Sequence, residues 1–254
     1  MNPSLAPSEP PAAREPPVIG TIHAIPLSEL HSMPCSPFQI REDAAMVDLI
    51  DSVQQYGVLI PAEVRPRPEG GYEIISGARR KHASELANLE SMPAIIRDLD
   101  DDEAIIRMVD SNFQRENTLP SERARAFKMR MEAAKRKAGR PRKEEKENAP
   151  KISANFRSDD AVGELAGVSG DTVRNLISLT QLVPELMKMV DEKKIALTPA
   201  YHIAALPENE QKLLLETIDS EQATPSLSQA QRMRKLSQSG ELNEDTISRR
   251  KYIW

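Results

Sequence analysis

Ile75-Ser76-Gly77-Ala78-Arg79-Arg80 places a glycine and two guanidinium groups where an apolar strand gives way to a helix. A junction glycine lets the backbone take positive φ or approach a bound group closely. Backbone N–H groups at such a turn, with Arg79 and Arg80 behind them, make an anion pocket suited to phosphates. The bland reading of Gly77 is an ordinary turn residue. Two adjacent arginines also cannot share one helical face, so one of the pair would normally be a surface charge. The neighbouring segments decide how far the phosphate reading carries.

Working outward, Tyr72 to Ile75 is a strand joined to Val58–Arg65 by a tight turn at Glu69-Gly70-Gly71. Ala78 to Ala87 reads as helix and Met92 to Ile96 as a further strand. Upstream, Ile22 to Ile25 is a short strand. Asp43 to Tyr56 repeats Met46, Leu49, Ile50 and Val53 at helical spacing before Gly57 stops it. Asp98 to Glu103 is an acidic run heading a helix that buries Ile105, Met108 and Val109, and its charge suits a helix N-terminus better than a metal site. Ser111-Asn112-Phe113-Gln114-Arg115-Glu116 closes that segment. Asn112 there is equally suited to binding a metal-phosphate group and to capping the helix end. Few strands, one pair hairpin-linked, exclude a doubly wound sheet. The expected architecture is an α+β N-terminal domain with a small mixed sheet, followed by an all-α domain.

Pro120 opens a long basic helix ending at Gly139, with Ala124, Phe127, Met131, Ala134 and Ala138 as its apolar stripe. From Ser121 to Lys143 there are ten basic residues against Glu122 and Glu132, inside a chain of net charge −5. Arg123, Lys128 and Arg130 are the candidate phosphate contacts on this helix. Beyond it, Asp160 to Ala166, the small-residue turn Gly167-Val168-Ser169 and Thr172 to Leu179 form a helix–turn–helix pattern, with Val162, Leu165, Val173, Leu176 and Ile177 apolar. Ser169, Asp171, Thr172, Arg174 and Asn175 are left polar at the start of the second helix, the part that enters a major groove in such motifs. Arg174 suits a guanine edge, and Asn175 an adenine edge or a phosphate. A plain helical hairpin is the competing reading, and the adjoining basic helix favours DNA.

The divisions expected are a proline-rich tail over 1–20, an N-terminal nucleotide-binding domain over 21–118, a basic connecting helix and linker over 119–157, a helix–turn–helix domain over 158–220 and a helical tail over 221–254. Cys35 is the only cysteine, which excludes an internal disulfide and a cysteine-based zinc site. No apolar run reaches membrane-spanning length, so a cytoplasmic protein is expected.

Together these segments resemble the ParB family of partition proteins. Gln39-Ile40-Arg41 looks like its first nucleotide motif, Gly77-Ala78-Arg79-Arg80 its phosphate motif, and Asn112 with Gln114 and Arg115 its third. The version with Leu119-Pro120-Ser121-Glu122 looks most like members from plasmids and conjugative elements. The resemblance implies a CTP-dependent DNA clamp that binds a palindromic double-stranded site, takes up CTP with Mg2+, closes as a homodimer and reopens on slow CTP hydrolysis. It assigns Gly77, Arg79 and Arg80 to the triphosphate, Gln39 and Arg41 to the nucleotide pocket, Asn112 to magnesium and Arg115 to support of the pocket. A ParA-type ATPase is the implied partner, and a nucleoid- or plasmid-associated location the implied place.

Ala78 and Ser111 stand where the family pattern has glutamates, so CTP binding is expected ahead of hydrolysis. The short C-terminus leaves little room for the family's dimerisation domain. A DNA-binding regulator without nucleotide hydrolysis is the alternative. A nuclease ranks below it, since cleavage would want carboxylates converging on one or two metal ions.

Overall fold

The computed structural model describes residues 18–113, 115, 118–139, 158–243 and 246–247. Most of the proline-rich tail, the linker after Gly139 with Arg140, Arg142 and Lys143, and Gln114 and Glu116 of the third motif lie outside them. The chain divides into two compact units: residues up to His31 together with Glu42–Asp98, and Ser32–Arg41 together with everything from Leu99 onward.

The first unit is built on a five-stranded mixed sheet in the order β1-β5-β3-β4-β2, comprising β1 (Ile22–Pro26), β2 (Leu30–Ser32), β3 (Ala62–Pro66), β4 (Tyr72–Ser76) and β5 (Ser91–Ile96). β1 pairs antiparallel with β5, β5 parallel with β3, and β3 antiparallel with β4. Ile25, Ala62, Val64, Ile74, Met92, Ala94 and Ile96 form its core. Helices α1 (Ala44–Tyr56) and α2 (Ala78–Leu86) pack together through Met46, Val53 and Ala83. Asp43 caps α1, its carboxylate accepting from the Met46 N–H, and Gly57 ends the helix at φ 71°.

Two details differ from the sequence reading. The three-residue β2 is too short to show a period of two. β3 starts at Ala62 rather than Val58, leaving Leu59 and Ile60 exposed. The carbonyls of Ile60 and Pro61 accept from the Arg80 guanidinium, an alternative to continuing the ladder.

The second unit is helical. α3 (Asp101–Asp110) opens with a capping box between Asp100 and Glu103, the role expected of the acidic run. α4 (Pro120–Gly139) packs against α3, and also against α6 (Gly170–Ser178) and α7 (Pro184–Asp191). That double contact changes its buried face. Ala124 and Phe127 are buried as expected, but Ala126, Ala133, Glu122 and Arg130 are buried as well, while Met131 and Ala134 are only half-buried. The side chain of Ala138 lies outside the described residues.

α5 (Ser158–Leu165) and α6 form the helix–turn–helix, followed by α7, α8 (Leu197–Ile203), α9 (Glu208–Glu221) and α10 (Leu227–Ser239). Val162, Val173, Leu176, Leu179, Leu186 and Ile203 belong to one core with Phe127. Leu165, expected beside Val162, is exposed because it ends the short α5 and the two helices meet instead at glycines. A Cβ on Gly163 would lie 2.5 Å from the Val168 carbonyl oxygen, and one on Gly170 would run into the Asp160 carboxylate. The α5–α6 corner therefore admits no side chain at Gly163, where the obstacle is backbone, while one at Gly170 would have to displace the Asp160 carboxylate.

Candidate functional site

In the first unit the hairpin register sets Ser76 opposite Glu63, which brings the following Gly77 beside the start of β3. Gly77 caps α2 at φ 113°. A Cβ there would fall 2.9 Å from Ala62 Cβ and 3.1 Å from Arg80 Nη2. Both the conformation and the space demand glycine, so it is more than a generic turn residue. The first-turn N–H groups of α2 have no intrahelical partners and face outward along the helix dipole.

The two arginines diverge, as one-residue spacing on a helix requires. Arg79 Nη2 lies 3.1 Å from Asp43 Oδ1, joining α2 to the cap of α1. This guanidinium, through its hydrogen bond, holds the Asp43 carboxyl below the usual carboxylate range. Arg80 Nη1 donates to the carbonyls of Ile60 and Pro61, each at 2.6 Å. Burial pushes the Arg80 pKa down, partly offset by the nearby Glu63 carboxylate. Arg80 thus braces the loop before β3 from beneath the Gly77 turn. Arg79, whose partner is itself a half-exposed carboxylate, is the arginine an incoming anion can compete for. Glycine turn, open N–H groups and Arg79 fit a phosphate.

The second unit holds the other assigned residues. The Gln39 backbone N–H donates to Glu122 Oε1 at 3.0 Å, and Arg41 Nη2 lies 2.8 Å from the same oxygen. Ser36 Oγ approaches Met108 Sδ at 4.0 Å, so this loop lies along α3 and the start of α4. Asn112 Nδ2 donates to the Met108 carbonyl at 2.8 Å, and Asn112 Oδ1 accepts from Arg115 Nη1 at 3.0 Å. Of the two readings left open for Asn112, its contacts realise the helix-end cap. Phe113 stacks on Phe127 with ring centroids 5.1 Å apart, which ties the third motif to α4. Among the described residues no three His, Cys, Asp or Glu side chains gather to hold a metal ion by themselves. Asn112 Oδ1 already accepts from Arg115.

At the helix–turn–helix, Ser169 caps α6 by accepting from the Thr172 N–H at 3.1 Å. Asp171, Arg174 and Asn175 are exposed and Thr172 half-buried. Arg174 is ion-paired with Asp171 and with the buried Asp159. On α4, Arg123 and Lys128 are half-buried. Arg130 is buried, with Nε 2.6 Å from Asp110 Oδ1. It is committed to packing α4 on α3 and is not placed as a phosphate contact. Arg136 and Lys137 likewise pair with Asp102 and Glu103, so part of the basic excess of α4 is neutralised within the unit.

Sequence reasoning missed Glu122, Asp159, Asp191 and Gly163 as site-building residues. Only Gly163, a glycine inside a helical pattern, carried a visible signal.

Two family models match the chain in order: the ParB N-terminal domain over residues 13–113 and the ParB HTH domain over residues 152–235. The chain belongs to the ParB family. It is 31% identical to the "probable chromosome 1-partitioning protein ParB" of Deinococcus radiodurans, over 72% of this chain and 56% of that protein. To the chromosome-partitioning protein Spo0J of Thermus thermophilus it is 29% identical, over 72% of this chain and 58% of that one. The chain therefore spans a little over half the length of these ParB relatives. A C-terminally truncated ParB of Caulobacter crescentus, solved with the centromeric parS site, shares the fold. It matches with a TM-score of 0.52 and 23% identity, over 85% of this chain and 99% of that one. Among the described residues no helix is long and apolar enough to cross a membrane.

Proposed function

We propose that this chain is a sequence-specific DNA-binding protein of ParB type, a CTP-gated clamp acting in plasmid or chromosome partition. The observation that carries the DNA reading is α6. Its N-terminus is capped by Ser169 and presents Asp171, Thr172, Arg174 and Asn175 from a corner closed by Gly163 against the Val168 carbonyl. A rigid, polar helix start is what base readout in a major groove needs. That a ParB relative was solved on its parS site supports the same assignment here, with a palindromic double-stranded site as the target. Arg123 and Lys128 serve as phosphate contacts. Arg130 drops out of that set.

The CTP reading rests on the cradle at Gly77 and on the resemblance. The open N–H groups of α2 and Arg79 take the triphosphate, and Arg80 shapes the turn. Gln39, Arg41, Asn112 and Arg115 are the further residues assigned to nucleotide. CTP supplies negative charge whose differential binding can shift a conformational equilibrium, here towards a closed homodimer. A ParA-type ATPase is the proposed partner. Mg2+ would arrive with the triphosphate.

The test is nucleotide retention by purified protein. CTP should bind in preference to ATP, GTP and UTP, and Arg79→Ala should abolish it. Equal or absent binding of all four would leave a DNA-binding regulator as the function. DNA recovered from genomic fragments by the protein should share one palindromic sequence. Recovery without sequence preference would overturn the DNA assignment.

A further inference from the structure

We infer that Glu122 and Asp191 form a junction at the start of α4 that positions the Gln39–Arg41 loop relative to the helix–turn–helix bundle. The inference deepens the nucleotide reading above and rests on it for its effect on CTP.

The start of a helix leaves N–H groups without intrahelical partners, and carboxylates are the side chains that satisfy them best. At α4 two carboxylates do so from different elements. Asp191 Oδ1, on the last residue of α7, accepts from the Ser121 N–H at 3.0 Å. Glu122 Oε2 accepts from the Leu119 N–H at 3.0 Å. The other Glu122 oxygen leaves the helix altogether, accepting from the Gln39 N–H at 3.0 Å and pairing with Arg41 Nη2 at 2.8 Å.

Glu122 is 4% exposed. A carboxylate that deep stays ionised only with its charge matched and its oxygens bonded. Arg41 supplies the charge, and the amides of Gln39 and Leu119 supply the bonds. Loop position and the α4 start are therefore one electrostatic assembly. Through Asp191 that assembly reaches α7, which shares a hydrophobic core with α6. Glu122 and Asp191 are positioning residues. They touch neither nucleotide nor DNA in this scheme.

The test uses the whole chain with Asp191→Ala, Asp191→Asn and Glu122→Gln, reading CTP affinity and the hydrogen exchange of the Gln39 amide. Asp191→Ala is expected to weaken CTP about fivefold or more and to speed Gln39 exchange. Asp191→Asn, which keeps an acceptor oxygen, should restore both. Thermal unfolding and binding to random DNA should stay near wild type. Glu122→Gln should have the larger effect, and its combination with Asp191→Ala should be less than additive. If Glu122→Gln fails to fold, the two Asp191 variants decide alone. Wild-type protein that binds no nucleotide would sink the CTP reading, and Gln39 exchange in Asp191→Ala would then judge the junction. Unchanged exchange at Gln39 in that variant overturns it.

Discussion

Asp43 and Arg79 hold each other: the carboxylate that caps α1 lies 3.1 Å from the guanidinium in the first turn of α2. The proposed phosphate cradle thus carries its own competing anion. A triphosphate engaging Arg79 must displace Asp43 or share the guanidinium with it.

Asp43→Asn keeps the cap, since asparagine accepts from the Met46 N–H as well as aspartate does, but removes the competing charge. CTP should then bind up to about fivefold more tightly, the scale of one partly exposed ion pair. Titration of both proteins at fixed ionic strength checks this. Weaker binding in the variant would mean that Asp43 helps the ligand.

The same pair sets a pH dependence. The folded pKa of Asp43 lies below its unfolded value. Its contribution is therefore complete above the unfolded value of about 3.9 and disappears as pH falls through the lower folded value. The protection factor of the Met46 amide, its exchange relative to the unstructured rate at the same pH, should hold down to about pH 4 and fall only below it.

Lys128 and Arg130 sit on the same basic helix with different duties. Lys128→Ala should weaken binding to specific and random DNA alike and lower the salt slope by about one. Arg130→Ala should leave that slope unchanged and instead destabilise the protein by about 1–3 kcal/mol. That is less than a fully buried pair costs, because Asp110 keeps some solvent. Salt titrations and urea unfolding of both variants separate the two outcomes.

Arg174→Ala removes a group held between Asp159 and Asp171 at the start of α6. Loss of about 1–3 kcal/mol on the selected site, with random DNA little affected, is expected. Equal losses on both would make Arg174 a structural partner of Asp159 only.

Gly163→Ala should cost about 1–3 kcal/mol, because the clashing atom is the Val168 backbone carbonyl and cannot rotate away. The unfolding midpoint should fall, with DNA binding lost in proportion to folded protein.

Local patterns in the chain account for much of this molecule. Helical spacing at Met46 and Val53, the Asp100 cap with Glu103 and the Ser169 cap are written within a few residues of one another. The order strand, glycine, helix at Ser76-Gly77-Ala78 likewise announces a turn that only glycine fits. Such features depend on backbone geometry over one or two turns, and the side chains that satisfy it are near in sequence.

What each charged group does was decided by tertiary structure. Arg79 and Arg80 are neighbours in the chain, yet one meets Asp43 and the other the carbonyls of Ile60 and Pro61. Arg130 and Lys128 look alike as letters, and only the packing of α4 against α3 buries the first. Glu122 reads as one of two acids in a basic stretch until Gln39 and Arg41, far away in sequence, complete its bonds. A buried charge is tolerated only with its partner present, and for these groups the partner comes from another element, beyond the reach of any local pattern.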